Sequence, residues 1–194
     1  MLTSTYTLVA LSVEQARARV EVQALMERWR PGAWWGDTPG RRHFEQACDA
    51  LRRVYENCHW RKLDKFVLPA LRRAGGLAEA LLARLEGISG RALEERVRAQ
   101  AQAAEGNPDC LCAMERCCRL LLERLELEER ELFPLARTLI SGESWFAIAN
   151  QMLAHDAHQS EQRPAPPPQP APAPRGGAHP DYSARQGPSL PLVH

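Results

Sequence analysis

The stretch ERLELEERELFPLA, Glu123–Ala136, is the most informative part of the chain, because charged and apolar residues alternate at helical spacing until a proline interrupts them. A second stretch, CHWRKLDKFVLPAL at Cys58–Leu71, has the same outline and also ends in an apolar residue, a proline and further apolar residues. We call Cys58–Leu71 the first proline segment and Glu123–Ala136 the second proline segment. Both predict a helix with a proline near its end.

The two proline segments hold unlike residues at matching positions. In the first segment Leu68 precedes the proline, and His59 lies nine residues before Leu68. In the second segment Phe133 precedes the proline, and Arg124 lies nine residues before Phe133. Five residues before that same point, the first has Leu63 and the second has Glu128. Residues four apart lie on one helix face, one turn from each other. Each segment therefore presents one such pair, and the two pairs differ in chemistry.

Length and composition suit one domain with an appendage. The chain has 194 residues, of which 44% are hydrophobic, and a formal net charge of +1. A domain of roughly 150 residues can bury a sizeable core. The nearly balanced charge gives no electrostatic case for binding a nucleic acid or an anionic membrane surface. We expect neither partner.

Apolar runs in the sequence are too short to cross a bilayer, which needs about 20 residues. The first residues lack the basic region of a signal peptide and soon include Glu14 and Arg17. We therefore expect a cytoplasmic protein, in which the six cysteines are reduced thiols.

Apolar residues recur at the helical period along most of the chain. They predict four long helices, at about Thr7–Trp29, Arg42–Arg73, Leu77–Ala104 and Asp109–Leu139. A short fifth helix is predicted from near Ser141, with Trp145, Ile148 and Met152 on its apolar side. Pro69 and Pro134 are expected to kink the second and fourth helices. The predicted fold is an all-α, up-down-up-down four-helix bundle.

The end of the chain has a different composition. From Arg163 onward it contains ten of the fifteen prolines and few large apolar residues. Such a segment buries too little surface to offset the entropy of ordering it. We predict a bundle domain over residues 1–158 and a disordered Pro/Ala-rich tail over residues 159–194. The tail could be a solvated appendage or a ligand for a groove that binds proline-rich peptides.

Four cysteines are clustered in the sequence CLCAMERCCR. Cys110, Cys112, Cys117 and Cys118 raise the possibility of a zinc or copper site, because thiolates bind soft metals. On a helix, however, these four side chains do not share one face. The alternatives are that they are small buried apolar residues or that the exposed ones sense oxidants.

The proline segments resemble the two His-x-x-x-Glu segments of the hemerythrin-like (HHE cation-binding) family, in which Phe-Pro follows five residues after the Glu. LEGISGR, Leu85–Arg91, is similar to the family's third-helix segment, and GESWFAIANQM, Gly142–Met152, to its closing helix. The resemblance covers about Leu8–His155. It implies a four-helix bundle that holds two iron ions with histidine and carboxylate ligands.

Most of the ligands that the resemblance implies are missing. His59 and Glu128 remain as candidate metal ligands, in the second and fourth helices. The other ligand positions fall on Gln15, Leu63, Gly87 and Arg124. Two protein ligands are too few for a di-iron centre, which needs several imidazoles and carboxylates. We therefore predict a hollow that is closed by leucine, glycine and a fixed positive charge.

Arg124 is the most consequential of these replacements. A guanidinium is permanently charged and repels a metal ion in a low-dielectric interior. We predict a core charge pair between Arg124 and Glu128, extended to Glu14 or His59 across the bundle. The alternative is that Arg124 turns outward and covers apolar surface with its stem.

Three functions are compatible with this pattern. The first is a non-catalytic binding or regulatory module that has lost its di-iron site, holds no cofactor and contacts a protein partner through the bundle surface or the tail. The second is an iron protein that senses or stores oxygen, nitric oxide or iron through unusual ligands. The third is a thiol-based redox or soft-metal sensor. Because no phosphate-binding loop or nucleophile motif is present, we predict that the protein is not an enzyme.

Overall fold

The computed structural model describes residues 2–30, 40–59 and 61–161, and within these ranges it contains helices and turns but no strand. The α-helices are α1 (Leu2–Arg28), α2 (Arg41–His59), α3 (Leu68–Ala74), α4 (Glu79–Ala104), α5 (Asp109–Leu127), α6 (Phe133–Leu139) and α7 (Gly142–Glu161). A 3-10 turn lies at Gly76–Ala78. The all-α prediction is confirmed. Nearly all of the predicted Pro/Ala-rich tail, residues 162–194, lies outside the described ranges.

The predicted short fifth helix is wrong in its length. Helix α7 has 20 residues and ends at Glu161, whereas the predicted tail begins at residue 159. Trp145, Ile148 and Met152 are buried on one side of it, at the helical spacing that the sequence predicts. Helix α7 packs against α1. No helix in the described ranges is long and apolar enough to cross a membrane.

Glycines with a positive φ end two of the long helical stretches. Gly75 and Gly76, with φ of 66° and 56°, follow α3, and Gly106, with φ of 72°, follows α4. Glycine adopts this left-handed conformation without a steric penalty, so it lets the chain reverse at a helix end. After the second reversal, α5 packs along α4. Helix α2 packs against both of them, and α1 packs against α2, α5 and α7.

Each proline segment contains a π-helical turn where the sequence predicts only a kink. The turns are Leu63–Val67 and Glu128–Leu132, at matching positions of the two segments. In each turn the N–H of the residue before proline donates to a carbonyl five residues back. Proline has no N–H, and its ring crowds the carbonyl four residues back, so a wider turn accommodates it. The predicted continuous second helix is therefore wrong, because α2 ends at His59.

Two apolar clusters form the core. The first lies among α1, α2, α4 and α5 and includes Val22, Leu51 and Cys117. The second lies among α1, α4, α7 and the proline segments and includes Leu63 and Trp145. On α1, Leu11 belongs to the second cluster and Ala18 to the first, and the buried polar residue Gln15 lies between them. The boundary between the clusters is therefore polar.

Candidate functional site: a buried ionic layer

Five polar residues lie at the boundary between the two apolar clusters, and we call them the ionic layer: Gln15, Arg61, Asp64, Arg124 and Glu128. Glu128 is 0% exposed, Arg61 is 4% exposed and Arg124 is 5% exposed. The two guanidinium groups balance the two carboxylates in charge. Burial of charge is costly unless each charge is paired, so this arrangement depends on its internal contacts.

Glu128 is at the centre of the ionic layer. Its Oε1 accepts a hydrogen bond from Arg61 Nη2 at 2.6 Å and lies 3.0 Å from Arg124 Nε. Its Oε2 lies 3.4 Å from Gln15 Nε2. Both carboxylate oxygens therefore face donors of the same chain, and one of them is shared by two guanidinium groups.

Asp64 connects the same two guanidinium groups on their other side. Arg124 Nη2 donates a hydrogen bond to Asp64 Oδ1, and Asp64 Oδ2 lies 3.8 Å from Arg61 Nη2. Arg61 and Arg124 thus each contact both carboxylates. The four charges form a closed ring in which no charge is left without an opposite neighbour.

Local structure explains how each side chain reaches the ionic layer. Arg124 and Glu128 are one turn apart where α5 meets its π-helical turn. Arg61 follows the end of α2, and its Nε donates to the Cys58 carbonyl at 2.8 Å. A cation is stabilised there by the partial negative charge of a helix C-terminus. Gln15, on α1, donates from Nε2 to the Leu125 carbonyl at 2.5 Å.

The two arginines remain charged inside the protein. Burial lowers the pKa of the Arg61 guanidinium, but the hydrogen bond to Glu128 and the attraction to Glu128, Asp64 and Cys58 together outweigh burial, so this pKa is raised above its ordinary value. A guanidinium is fully protonated at neutral pH even without such help. The ionic layer therefore carries two permanent positive charges.

The structure places Arg124 and Glu128 in contact, and it places His59 at the edge of the ionic layer. His59 is exposed at the end of α2, where its ring is stacked on Tyr55 at 5.7 Å between centroids. Its Nδ1 lies 3.5 Å from Arg124 Nη1, so it contacts the ionic layer from the edge. Of the two residues to which the core charge pair was predicted to extend, His59 therefore contacts Arg124. Glu14 accepts a hydrogen bond from the Lys62 N–H at 3.1 Å, and no contact joins it to Arg124 in the described residues.

Gly87 also departs from its predicted place. It is exposed on α4, and a Cβ added there would have nothing within 4 Å. The next residue, Ile88, is buried in the second apolar cluster instead. The prediction that Gly87 faces the hollow is therefore wrong. Leu63, which the same prediction placed there, is buried in that second cluster.

Arg61 and Asp64 are part of the site but were not predicted from the sequence. A continuous helix through the first proline segment would place Arg61 about 200° round the helix from His59 and away from the buried face that holds Leu51 and Tyr55. The break after His59 and the following π-helical turn change this register and bring Arg61 inside. The signal that could have indicated them is the charge of Glu128, because a fully buried carboxylate needs more than one donor.

Iron, which the family resemblance implies, does not fit this arrangement. The oxygens of Glu128 are directed at Arg61, Arg124 and Gln15, so a metal ion would have to displace them. Two guanidinium groups would also repel a cation at this place. Within residues 2–30, 40–59 and 61–161, no group of three or more His, Cys, Asp or Glu side chains is placed to hold a metal ion.

The cysteine cluster is mostly buried in the first apolar cluster. Cys110, Cys117 and Cys118 are buried, and Cys112 is exposed. Burial raises the pKa of the Cys117 thiol to about 12, and its Sγ donates to the Ala92 carbonyl at 3.3 Å. None of the six cysteines is in a disulfide. A protonated thiol is neither a good nucleophile nor a good metal ligand, so the three buried thiols act as small apolar residues.

Comparisons with known proteins identify no relative of this chain: no protein-family model, no curated protein and no solved structure matches it.

Proposed function

We propose that the chain is a hemerythrin-like protein that has lost its di-iron site and acts as a non-catalytic binding or regulatory module. The observation that carries this proposal is the environment of Glu128. Of the two candidate metal ligands, His59 and Glu128, only Glu128 is buried. Arg61, Arg124 and Gln15 surround its carboxylate. The residues around a former metal ligand are thus the donors that a carboxylate needs when no metal is bound.

On this proposal the guanidinium groups take over the electrostatic role of the metal. A carboxylate in a di-iron protein is neutralised by metal cations, and its burial without them requires another cation. Arg61 and Arg124 supply two, at 2.6 and 3.0 Å from the same oxygen. A guanidinium group, unlike a metal ion, has no coordination position at which one ligand can replace another. The arrangement therefore favours a structural role over catalysis.

The proposal also includes the up-down-up-down bundle that the resemblance implies. The extensive packing of α4 along α5, joined by the short connection Glu105–Pro108, supports an antiparallel pair. The two proline segments would then belong to the second and fourth helices of the bundle. A partner protein would be bound by the outer surface or by the proline-rich segment after Glu161, in the cytoplasm.

Iron loading of the purified chain tests the loss of the metal site. The protein is incubated with Fe(II) without oxygen, exposed to air and desalted, and its iron is measured by elemental analysis and its visible absorption recorded. We expect substoichiometric iron and no oxo-bridge absorption. Glu128→Gln is the matched control, because it removes the only buried carboxylate of the candidate ligands.

The control separates two sources of iron. The amount of iron that is bound loosely at the surface should be the same in the wild type and in Glu128→Gln. Two iron ions per wild-type chain, with an oxo-bridge absorption that Glu128→Gln abolishes, would contradict the proposal and favour the working iron protein.

A further inference from the structure

Helix α7 is joined to the first proline segment by contacts of two neighbouring residues, His155 and Asp156. His155 Nε2 lies 3.2 Å from Lys65 Nζ, and the Asp156 carboxylate pairs with Lys62 Nζ at 2.8 Å. The rings of His155 and Phe66 are also packed edge to face, with their centroids 5.8 Å apart. Two of these three contacts are therefore made by a single imidazole.

The partners of His155 require a neutral imidazole ring. The Lys65 ammonium can only donate a hydrogen bond, and so can the Gln159 amide nitrogen, which lies 3.2 Å from the same Nε2 atom. A ring nitrogen accepts a hydrogen bond only when it carries no proton. His155 therefore has an unprotonated Nε2 that faces two donors.

The carboxylates nearest to this contact are already engaged by Lys62. Asp156 pairs with its Nζ, and Glu14, on α1, accepts its backbone N–H at 3.1 Å. Lys65, in contrast, has no ion pair with a carboxylate inside residues 2–30, 40–59 and 61–161. A protonated His155 would thus add a cation directly beside an ammonium that no carboxylate neutralises.

Glu14 is a second group on this side of α7 that responds to acid. Burial raises its pKa, although the Lys62 N–H and the charges of Lys62 and Arg61 act in the opposite direction. Its protonation removes a negative charge from the neighbourhood of Lys62 and Asp156. Acidification therefore makes this region more positive from both α1 and α7.

The end of α7 depends on polar contacts more than the rest of the helix does. Trp145, Ile148 and Met152 are buried in the second apolar cluster and hold the earlier turns. After Met152 the side chains that the structure describes on α7 are exposed, except for the half-buried His155. A helix end without buried apolar residues can open locally while the core stays folded.

We propose that His155 is a pH switch, which holds the last two turns of α7 on the first proline segment at neutral pH and releases them when its ring is protonated. Protonation removes the acceptor at Nε2 and places an imidazolium about 3 Å from the Lys65 ammonium, where like charges repel. Histidine is the side chain that ordinarily changes its charge between pH 5 and 8. The switch does not depend on whether the iron site has been lost.

Hydrogen exchange of the full chain at about pH 7.5 and pH 5 tests the proposal, with rates corrected for the intrinsic effect of pH. We expect protection of the amides of residues 156–161 to fall about fivefold or more at the lower pH, while the amides of residues 148–152 change less than about twofold. His155→Gln should keep its protection at both pH values, because a glutamine carbonyl accepts from Lys65 and does not titrate.

Two further variants identify the groups involved. Lys65→Met removes the ammonium that repels a protonated ring, so it should reduce the loss of protection at low pH. His158→Gln is the matched control, because it replaces an exposed histidine three residues further along the same helix. This control should lose protection as the wild type does.

Several outcomes would overturn the proposal. Equal protection of residues 156–161 at both pH values in the wild type would exclude a release. An unchanged pH response in His155→Gln would assign the effect to Glu14 or another group, and an unchanged response in Lys65→Met would exclude repulsion as its cause. Loss of the response in His158→Gln would place the switch at the wrong histidine. Equal loss of protection throughout α4 would show unfolding of the whole chain instead of a local release.

Discussion

The two proline segments share a π-helical turn at matching positions but bury different residues at its first position. Each contains a π-helical turn that ends immediately before the residue preceding proline. At the first residue of that turn, Leu63 lies in an apolar cluster, whereas Glu128 lies in the ionic layer. The comparison teaches that proline and its turn determine the shape of these segments, while the neighbouring elements determine which chemistry each can bury.

What surrounds the two positions explains the difference. Leu63 is packed among apolar residues of the second cluster. The side chains of Arg61, Arg124 and Gln15 surround Glu128, so a negative charge is stabilised there. An apolar residue at this position would leave those three side chains without their shared acceptor.

The largest expected effect comes from making the second segment like the first with Glu128→Leu. This change leaves Asp64 as the only carboxylate that contacts the buried guanidinium groups of Arg61 and Arg124 in the described residues. Loss of one member of a buried ion pair typically costs about 3–5 kcal/mol. The free energy of unfolding, measured in urea, should fall by that amount. The exposed Glu129→Ala is the control and should cost less than about 1 kcal/mol.

Arg124→Ala should have the next largest effect. Glu128 would keep Arg61, so we expect a smaller loss than for Glu128→Leu, about 2–4 kcal/mol. The control is Arg116→Ala, which breaks a half-exposed pair with Glu95 and should cost less than about 1 kcal/mol. Equal unfolding free energies for the two arginine variants would contradict the burial of Arg124 in an ion pair.

The pH dependence of stability should reflect a group that only the first segment has. Burial raises the pKa of Cys58 from 9.0 to about 11. Above pH 9 the unfolded chain loses this proton while the folded chain keeps it, so the free energy of unfolding should fall as the pH rises towards 11. Cys58→Ala should have a shallower fall over this range. Identical pH profiles for the two proteins would refute this contribution.

The smallest effects are expected from the two prolines. Pro69→Ala and Pro134→Ala each restore an N–H, so each π-helical turn can relax towards an α-helix. We expect changes in unfolding free energy below about 1 kcal/mol, and of similar size in the two segments. Hydrogen exchange of the Leu68 and Phe133 amides should change in parallel. A response in only one segment would show that proline is not the common cause of the turns.

Periodicity was enough to predict the all-α class and most helix ends, because glycines and prolines mark those ends directly. The helical spacing of Arg124 and Glu128 also indicated that they share a face. Arg61 and Asp64 could not be found in this way, since a π-helical turn changes which residues face inward. Gly87 was misplaced for a related reason: the neighbouring Ile88 is the residue that α4 turns inward.

The disorder of the tail was predicted from its composition, and the loss of the iron site from its missing ligands. Residues 162–194 lie outside the described ranges, so their predicted disorder stays a prediction. The loss of the iron site is a proposal that rests on the ionic layer, and it requires that the contacts of Glu128 persist when iron is supplied.

An anomalous-difference map at the iron edge, from crystals grown with Fe(II), tests this most directly. We predict no peak beside Glu128, with Arg61 Nη2 still within hydrogen-bonding distance of its Oε1. Two strong peaks bridged by Glu128, with Arg61 and Arg124 swung out of the interior, would contradict the account.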